Sequence, residues 1–471
     1  MILRFLALIL LTSGPGLTSA GQDTTPRIGD PYFHSSGSWG QSSRDQWAFE
    51  AIGMSDPDAV WDALGESPSP VIVAMIDTGI DWTHLDLSWG GLWTNDDEIM
   101  GNGRDDDGNG YVDDLIGWDF MAGTNQPWDY DGHGTFTTGL IAAEVNNGIG
   151  MTGLNPYARI MVLKAVNNFG RTRTAYVTEA IRYAVDNGAK VINLSLGGPV
   201  APELENATLD YAAQNGVLIV VAAGNEGQNL SEYAFVNHPA VITVAATGQD
   251  GERATYSNWG PQVSIAAPGE DILSLRARAT DTLLNLTDRY PRGSAIVGPD
   301  RRYYRATGTS FAAPFVTGAA SLLWSRDPSL TAQQVRQALL QSGRDIGAAG
   351  GDQFTGYGAL DIGAALAADP NASIVAEISG VRVVQGANGP AAEIIGTATS
   401  DRLESYIIEI GQGETPSSWK QVAQGRARVT NAPLAAVNAT EFTGAPVWTI
   451  RLVVRRTGGQ TRETLYRLAL G

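Results

Sequence analysis

The chain has 471 residues, with 31 Lys and Arg against 50 Asp and Glu, a formal charge of −19. That balance argues against nucleic-acid binding, and the length accommodates one large domain plus a small one. The absence of cysteine excludes disulfides, a thiol nucleophile and Cys-ligated zinc.

Met1–Ala20 reads as a signal peptide: Arg4, then apolar Phe5–Leu11, then Thr18-Ser-Ala20 as a cleavage site. Its apolar run is too short for a membrane span. Gly21, standing where a lipoprotein has Cys, argues against a lipid anchor. Secretion is therefore expected, extracellular or periplasmic. A secreted chain without disulfides needs a large core or bound metal for stability. Residues 21–65 are rich in Gly, Ser, Asp and Trp. Val71–Gly79 is an apolar run that ends in Asp77-Thr-Gly79, a buried parallel strand presenting a carboxylate at its C-terminal end. Eleven acidic residues between Asp96 and Asp131 then face one base, Arg104. Asp131-Gly-His-Gly-Thr135 sets His133 between glycines, ahead of the small-residue stretch Thr137–Ala143.

Strands and helices alternate from there. Arg159–Val166, Lys190–Leu196, Val217–Ala223 and Val241–Ala245 read as strands, Ala175–Asn187 and Glu203–Gln214 as helices. Repeated βα units imply a parallel sheet covered on both faces. Ligands of such sheets bind at strand carboxyl ends, where Asp77, Ser195–Gly197 and Gly224-Asn225 fall. An Arg-rich connection between Leu275 and Tyr304 precedes Thr307-Gly-Thr-Ser-Phe-Ala-Ala-Pro314. That string reads as a serine at the tip of a small-residue helix over Ser310–Arg326, with Pro314 in the first turn. Past Asp369-Pro370 the pattern changes to short alternating segments: 373–378, 381–384, 392–397, 406–410, 447–454 and 464–468, with a turn at Asn388-Gly389. These predict a small antiparallel β-sandwich. It carries ten basic and eight acidic residues from position 371 on, so the acidic excess lies before it.

Asp77, His133 and Ser310 stand in the chain order Asp, His, Ser, one of the known triad orders. Together with Ala222-Ala-Gly-Asn-Glu-Gly227 they make the region from about Asp30 to Pro370 resemble the subtilisin-like serine peptidases, or subtilases. The resemblance implies a parallel-sheet, three-layer α/β catalytic domain over 21–370, followed by the sandwich over 371–471. It implies Ser310 as nucleophile, His133 as base, Asp77 as its orienting partner and Asn225 as an oxyanion donor. It also implies Ser195, Leu196, Gly197, Ala223 and Gly224 as substrate-binding, the first three as an edge that pairs with substrate backbone. The expected activity is endopeptidase cleavage of protein or peptide substrates by a monomer. Acyl transfer to an amine, as in peptide ligation, and a non-catalytic surface-binding protein are the alternatives. Asp30-Pro-Tyr-Phe and Ser38-Trp-Gly-Gln resemble the family's wrapping N-terminal segment. Only about ten residues separate it from the cleavage site, so the family's long pro-domain is expected to be missing. Two positions depart from the family pattern. Phe136-Thr-Thr138 replaces His-Val-Ala, and Ala306 stands where Ser is common; both are expected to alter the cleft. The tail around Tyr406–Gln412 and Trp419 resembles fibronectin-III-like accessory domains.

Two calcium sites are expected. Asp105, Asp107, Asn109, the Tyr111 carbonyl and Asp113 have the spacing of an EF-hand loop, with Gly110 at its sharp turn. Ile116 occupies the twelfth position, where that loop has Glu. The second site rests on the family resemblance: side chains of Asp86 and Asn147, with carbonyls of Val145, Ile149 and Met151. Of the other histidines, His84 reads as structural, and His34 and His238 as ordinary surface or loop residues.

Overall fold

The structure is a computed structural model. It describes residues 28–196, 202–230, 233, 235, 236, 238, 240–278, 280, 290, 293–386 and 389–470, the side chains of 202 and 203 excepted. The signal-peptide reading, Gly197 and Asn388 lie outside them.

Three short helices open the described chain: α1 (Pro31–His34), α2 (Trp47–Ala51) and α3 (Pro57–Asp62). Then come β1 (Val71–Asp77), β2 (Gly117–Asp119), α4 (His133–Ala142), β3 (Ala158–Lys164), α5 (Thr174–Asp186) and β4 (Val191–Leu194). They are followed by α6 (Pro202–Gln214), β5 (Leu218–Ala222), β6 (Val241–Thr247), β7 (Val263–Pro268), β8 (Ile272–Leu275), β9 (Ile296–Val297) and β10 (Tyr303–Ala306). Helices α7 (Thr309–Arg326), α8 (Ala332–Gln341) and α9 (Ile362–Ala367) complete this part.

Seven strands form one parallel sheet in the order β2-β3-β1-β4-β5-β6-β7. The apolar run of β1 has period two and feeds two cores. Val71, Val73 and Met75 join the layer of α4 and α7; Ala74 and Ile76 join the layer of α5. Helix α7 is buried nearly all round, which explains why its sequence carries no polar face. Strands β8, β10 and β9 make a small antiparallel sheet out of the Arg-rich connection.

The tail contains seven strands: β11 (Ile374–Gly386), β12 (Gly389–Ser400), β13 (Leu403–Gln412), β14 (Lys420–Gly425), β15 (Val429–Asn438), β16 (Val447–Arg456) and β17 (Thr461–Ala469). They form two antiparallel sheets, β11-β12-β15 and β14-β13-β16-β17. Alternate residues Tyr406, Ile408 and Ile410 of β13 meet Ile450, Leu452 and Val454 of β16 in their common core. The two segments expected at 373–378 and 381–384 are one strand with a bulge between Ile378 and Gly380. Strands β14 and β15 escaped the sequence reading because their residues are half-exposed and weakly apolar.

The tail is bound to the rest of the molecule. Gly351 donates to the Glu463 carbonyl (2.9 Å), and Leu465 donates back to the Gly351 carbonyl (2.7 Å). The Arg462 guanidinium stacks 3.9 Å from the Tyr357 ring centroid and donates to the Leu340 (2.8 Å) and Gln341 (3.2 Å) carbonyls at the end of α8. A cavity of about 300 Å³ at this junction touches Val241, Val263 and Ser264, at the amino ends of β6 and β7.

Candidate active site

β1 ends on Asp77, which is buried. Its Oδ1 accepts the Thr78 N–H (2.7 Å), and its two oxygens lie 2.8 and 3.0 Å from His133 Nδ1. Thr137 Oγ1 donates to Oδ2 at 3.2 Å. The imidazole therefore carries its proton on Nδ1, leaving Nε2 as the acceptor. His133 is the first residue of α4, entered through Gly132 at φ 109°. Gly134 lets the helix come this close: a Cβ there would lie 2.1 Å from the Gly79 carbonyl oxygen and 3.2 Å from the Asp77 Cβ.

Burial opposes a charge on His133, but the Asp77 carboxylate outweighs it, with Asp131 and Asp129 behind, and raises the group to about 9. Asp129 has five donors, the Thr78 and Thr135 hydroxyls and the amides of Asp131, Gly132 and Thr135. Asp131 accepts only the His133 N–H, at 3.2 Å on Oδ1.

Ser310 is the second residue of α7, so its N–H has no partner one turn back. The sequence reading put Pro314 in the first turn. It lies in the second, where it withholds the N–H that would bond the Ser310 carbonyl. Ser195 Oγ donates to that carbonyl instead (2.7 Å), and Ser310 Oγ donates to the Ser195 carbonyl (3.1 Å). In this conformation Ser310 leans on the edge beyond β4 rather than on His133. Phe311, the next residue, has its ring 5.6 Å from the imidazole. Asn193 Nδ2 donates to Ser195 Oγ (2.9 Å) and its Oδ1 accepts from Thr317 of α7 (3.0 Å), a buried link the sequence reading missed.

Asn225 follows β5 on a tight turn. Its Oδ1 accepts the Thr309 N–H (2.8 Å) and hydroxyl (3.0 Å), which leaves Nδ2 as the outward donor, 3.5 Å from where a Cβ on Gly308 would stand. Gly224, at φ 94°, donates to Thr309 Oγ1 (2.9 Å). Asn258 fixes the turn: Nδ2 donates to the Ala223 carbonyl (3.0 Å) and Oδ1 accepts from Glu226 (3.1 Å) and Gln228 (2.9 Å). Its one signal in the sequence is a polar residue in a short turn. Leu196 packs partly buried at the edge of the core.

The two departures from the family pattern are both fully buried. Phe136 packs 4.4 Å from Phe311, beneath the first turn of α7 that carries Ser310. Within the connection, Tyr290 Oη lies 2.7 Å from Thr307 Oγ1, three residues before Ser310.

Of the first acidic site, Glu98, Asp105 and Asp107 bring oxygens within 4.8 Å of one another. Glu98, which precedes the loop, was not foreseen. Asp113 turns away to accept the Asn102 (3.0 Å) and Gly103 (2.9 Å) amides, and Asn109 Oδ1 accepts the Tyr111 N–H (2.7 Å). At the second, buried Asp86 accepts from Asn147 Nδ2 (2.8 Å), the Met151 N–H (2.9 Å) and the Tyr303 hydroxyl (3.1 Å). Asn147 Oδ1 accepts the Ile149 N–H (2.9 Å); Val145 is half-buried beside it. Asp30, also missed, is buried against the same loop and accepts the Asn146 (2.8 Å) and Gly148 (3.2 Å) amides. His84 is structural as expected, with Nε2 on the Arg302 carbonyl (2.9 Å) and Nδ1 accepting the Asp86 N–H (3.1 Å). His34 bonds the Ile28 carbonyl, and His238, largely covered, pairs with Asp210 at 3.1 Å.

The sequence profile of the subtilase family matches residues 69–358. The chain belongs to the subtilase family. A thermophilic serine proteinase of Bacillus sp. (strain AK1) is 35% identical over 294 residues, 62% of this chain and 61% of that protein, so less than two thirds of that relative is spanned. Thermitase of Thermoactinomyces vulgaris is 32% identical over 321 residues, 68% of this chain and 93% of thermitase. Among solved structures, a lanthipeptide protease superposes with a TM-score of 0.50 at 26% identity, covering 69% of this chain and 92% of that one.

Proposed function

We propose that this subtilase is a secreted, calcium-stabilised serine endopeptidase working through an acyl-enzyme. The observation that carries the reading is the convergence at strand carboxyl ends of an Asp77–His133 pair, Ser310 on a helix tip and an Asn225 whose Nδ2 is left outward. Ser310 Oγ turns from Ser195 and attacks the scissile carbonyl. His133 Nε2 takes its proton and passes it to the leaving amine. Asp77 holds the imidazole tautomer and stabilises its cation. Asn225 Nδ2 and the Ser310 N–H receive the oxyanion. Water then repeats the sequence on the ester. Ser195 and Leu196, and Ala223 and Gly224, would flank the substrate backbone near Ser310.

A fluorophosphonate should label the wild-type protein at Ser310. Ser310→Ala should lose the label and all turnover except a residual roughly 10³–10⁴ over water. Labelling that persists unchanged in Ser310→Ala would overturn the reading.

Calcium fits both acidic sites, whose donors are all oxygen. Asp30 and Asp86 are fully buried among neutral partners, and burial raises both carboxyls, Asp86 to about 6. A cation held by Asp86, Asp30, Asn147 and the 145–151 carbonyls would relieve that cost. Glu98, Asp105 and Asp107 would hold a second ion, with the rest of the loop as further donors. Calcium supplies charge neutralisation and loop anchoring there, with no part in bond cleavage. Residues 1–20 are assigned as signal peptide, 21–370 as catalytic domain and 371–471 as accessory domain. The strand orders β11-β12-β15 and β14-β13-β16-β17 support a fibronectin-III-like tail.

A further inference from the structure

We propose that Asp131 is a second carboxylate acting on His133, a positioning residue that, beside Asp77, sets the basicity of the general base. The inference rests on the reading of His133 as that base.

Asp131 and Asp129 look equivalent in sequence but are not in space. Asp129 is saturated by five hydrogen bonds, so its charge is spent on holding the loop that enters α4. Asp131 is 2% exposed, yet its Oδ2 is buried with no hydrogen-bond partner among the described residues. A carboxylate oxygen left unpaired away from water is costly. A fold that needed only an N-terminal cap for α4 would be served by a neutral acceptor on Oδ1. The carboxylate sits on the backbone N–H of His133 itself (3.2 Å), two residues from the ring that bears the proton, and after Asp77 it is the next charge favouring the imidazolium. Burial raises the Asp131 carboxyl to about 6, with Asp129 and Asp77 adding to this and His133 pulling it back.

The other charges around the pair are few. Asp77 and Lys164 approach from the ends of β1 and β3. Lys164 Nζ donates to the Thr78 carbonyl and sits 5.8 Å from the Tyr130 ring. From the connection, Thr280 donates to the Asp131 carbonyl (3.2 Å), and Arg278 lies over Trp128 with its N–H on Asp81. Helix α7 contributes the uncharged Phe311 ring. Among the described residues Lys164 is a buried cation facing Asp129, Asp119, Asp77 and Asp131, and its ammonium donates to the Thr78 carbonyl. Asp131 therefore adds to Asp77 in favouring the imidazolium.

The sign follows. A base works in its neutral form, so a carboxylate that favours the cation moves the acid limb of the kcat/KM profile to higher pH. Asp131→Asn keeps an acceptor for the His133 N–H and removes the charge. Its acid limb should move down by roughly one pH unit. Below the wild-type limb, kcat/KM should then rise about tenfold. Imidazole NMR in a Ser310→Ala background, with only four histidines present, should show the same downward shift for the His133 signal. A variant that loses activity equally at every pH, with limb and NMR titration unmoved, overturns the proposal and leaves Asp131 a cap. Should Asp131→Asn not fold, Asp131→Ser keeps a smaller acceptor and is read the same way. Fluorophosphonate labelling of both proteins separates this outcome from failure of the triad. Labelled protein with an unmoved limb rejects Asp131 alone; unlabelled wild type rejects the parent reading.

Discussion

Removing the Ser195 hydroxyl is expected to reach Ser310 through its backbone. Pro314 cannot supply the helical N–H, so Ser195→Ala leaves the Ser310 carbonyl unpaired. We predict that kcat falls about tenfold with KM little changed, the equivalent of one neutral hydrogen bond. Asn225→Ala should cost more, about 10²–10³ in kcat, because its Nδ2 acts only on developing charge. Gly134→Ala would drive a methyl into the Gly79 carbonyl and push His133 off Asp77; displacement on that scale costs on the order of 10²-fold. Steady-state kinetics on one peptide checks all three. A proportional rise in KM would move Ser195 from nucleophile positioning to substrate binding. At this scale the sequence was readable wherever a residue type is rare in its setting. A carboxylate ending an apolar strand, or a histidine between glycines, announces itself. Asn193, Asn258 and Asp30 do not, because their role is set by partners distant in the chain.

At the scale of elements, the acidic insertion between Asp96 and Asp131 is expected to be held by its ion. An ion that binds only the folded state stabilises by about 2.7 kcal/mol at a hundredfold excess over Kd. Chelation should lower the melting temperature, and calcium should restore it. Glu98→Gln and Asp107→Ala should each remove one part of that response, and Asp86→Asn a separate part. Calorimetry without any calcium-dependent shift would leave both loops as solvated acidic turns. The EF-hand spacing located this loop and named Asp105 and Asp107 but not Glu98, since spacing along a chain says nothing of a residue brought in from before it. Glu98 is such a residue. The parallel strands β1, β3, β4, β5 and β6 were legible because each is apolar over most of its length. β2, β7 and the tail's β14 and β15 were not, being short, small-residue or half-exposed. Proline misled in the same way. Its rule of preference for a first turn yielded to a site where the missing N–H is used.

On the scale of the molecule, the tail is more than an appended module. Arg462 caps α8 and lies against Tyr357, with charged hydrogen bonds typically worth about 1.5–3 kcal/mol. Arg462→Ala should therefore lower the melting temperature of the whole chain while leaving kcat unchanged. Deleting 371–471 should lower it further and still permit fluorophosphonate labelling; a truncated protein that never folds would make the tail part of the folding unit.

The junction also has a direction. It touches the amino ends of β6 and β7, whereas Asp77, Ser195, Asn225 and Ser310 gather at the carboxyl ends of their strands. Beside the joint between the two parts, Asn371 bonds Gln334 near the start of α8 (3.1 Å) and the Leu366 carbonyl accepts from Arg326, at the opposite end of α7 from Ser310, so Asp369–Ser373 lies away from the cleft. A molecule cannot bend its own joint into its own jaws. Loss of the tail by self-digestion must then be an encounter between two molecules. Its initial fractional rate should climb in proportion to protein concentration and vanish on dilution, while a rate independent of concentration would mean that the joint swings free.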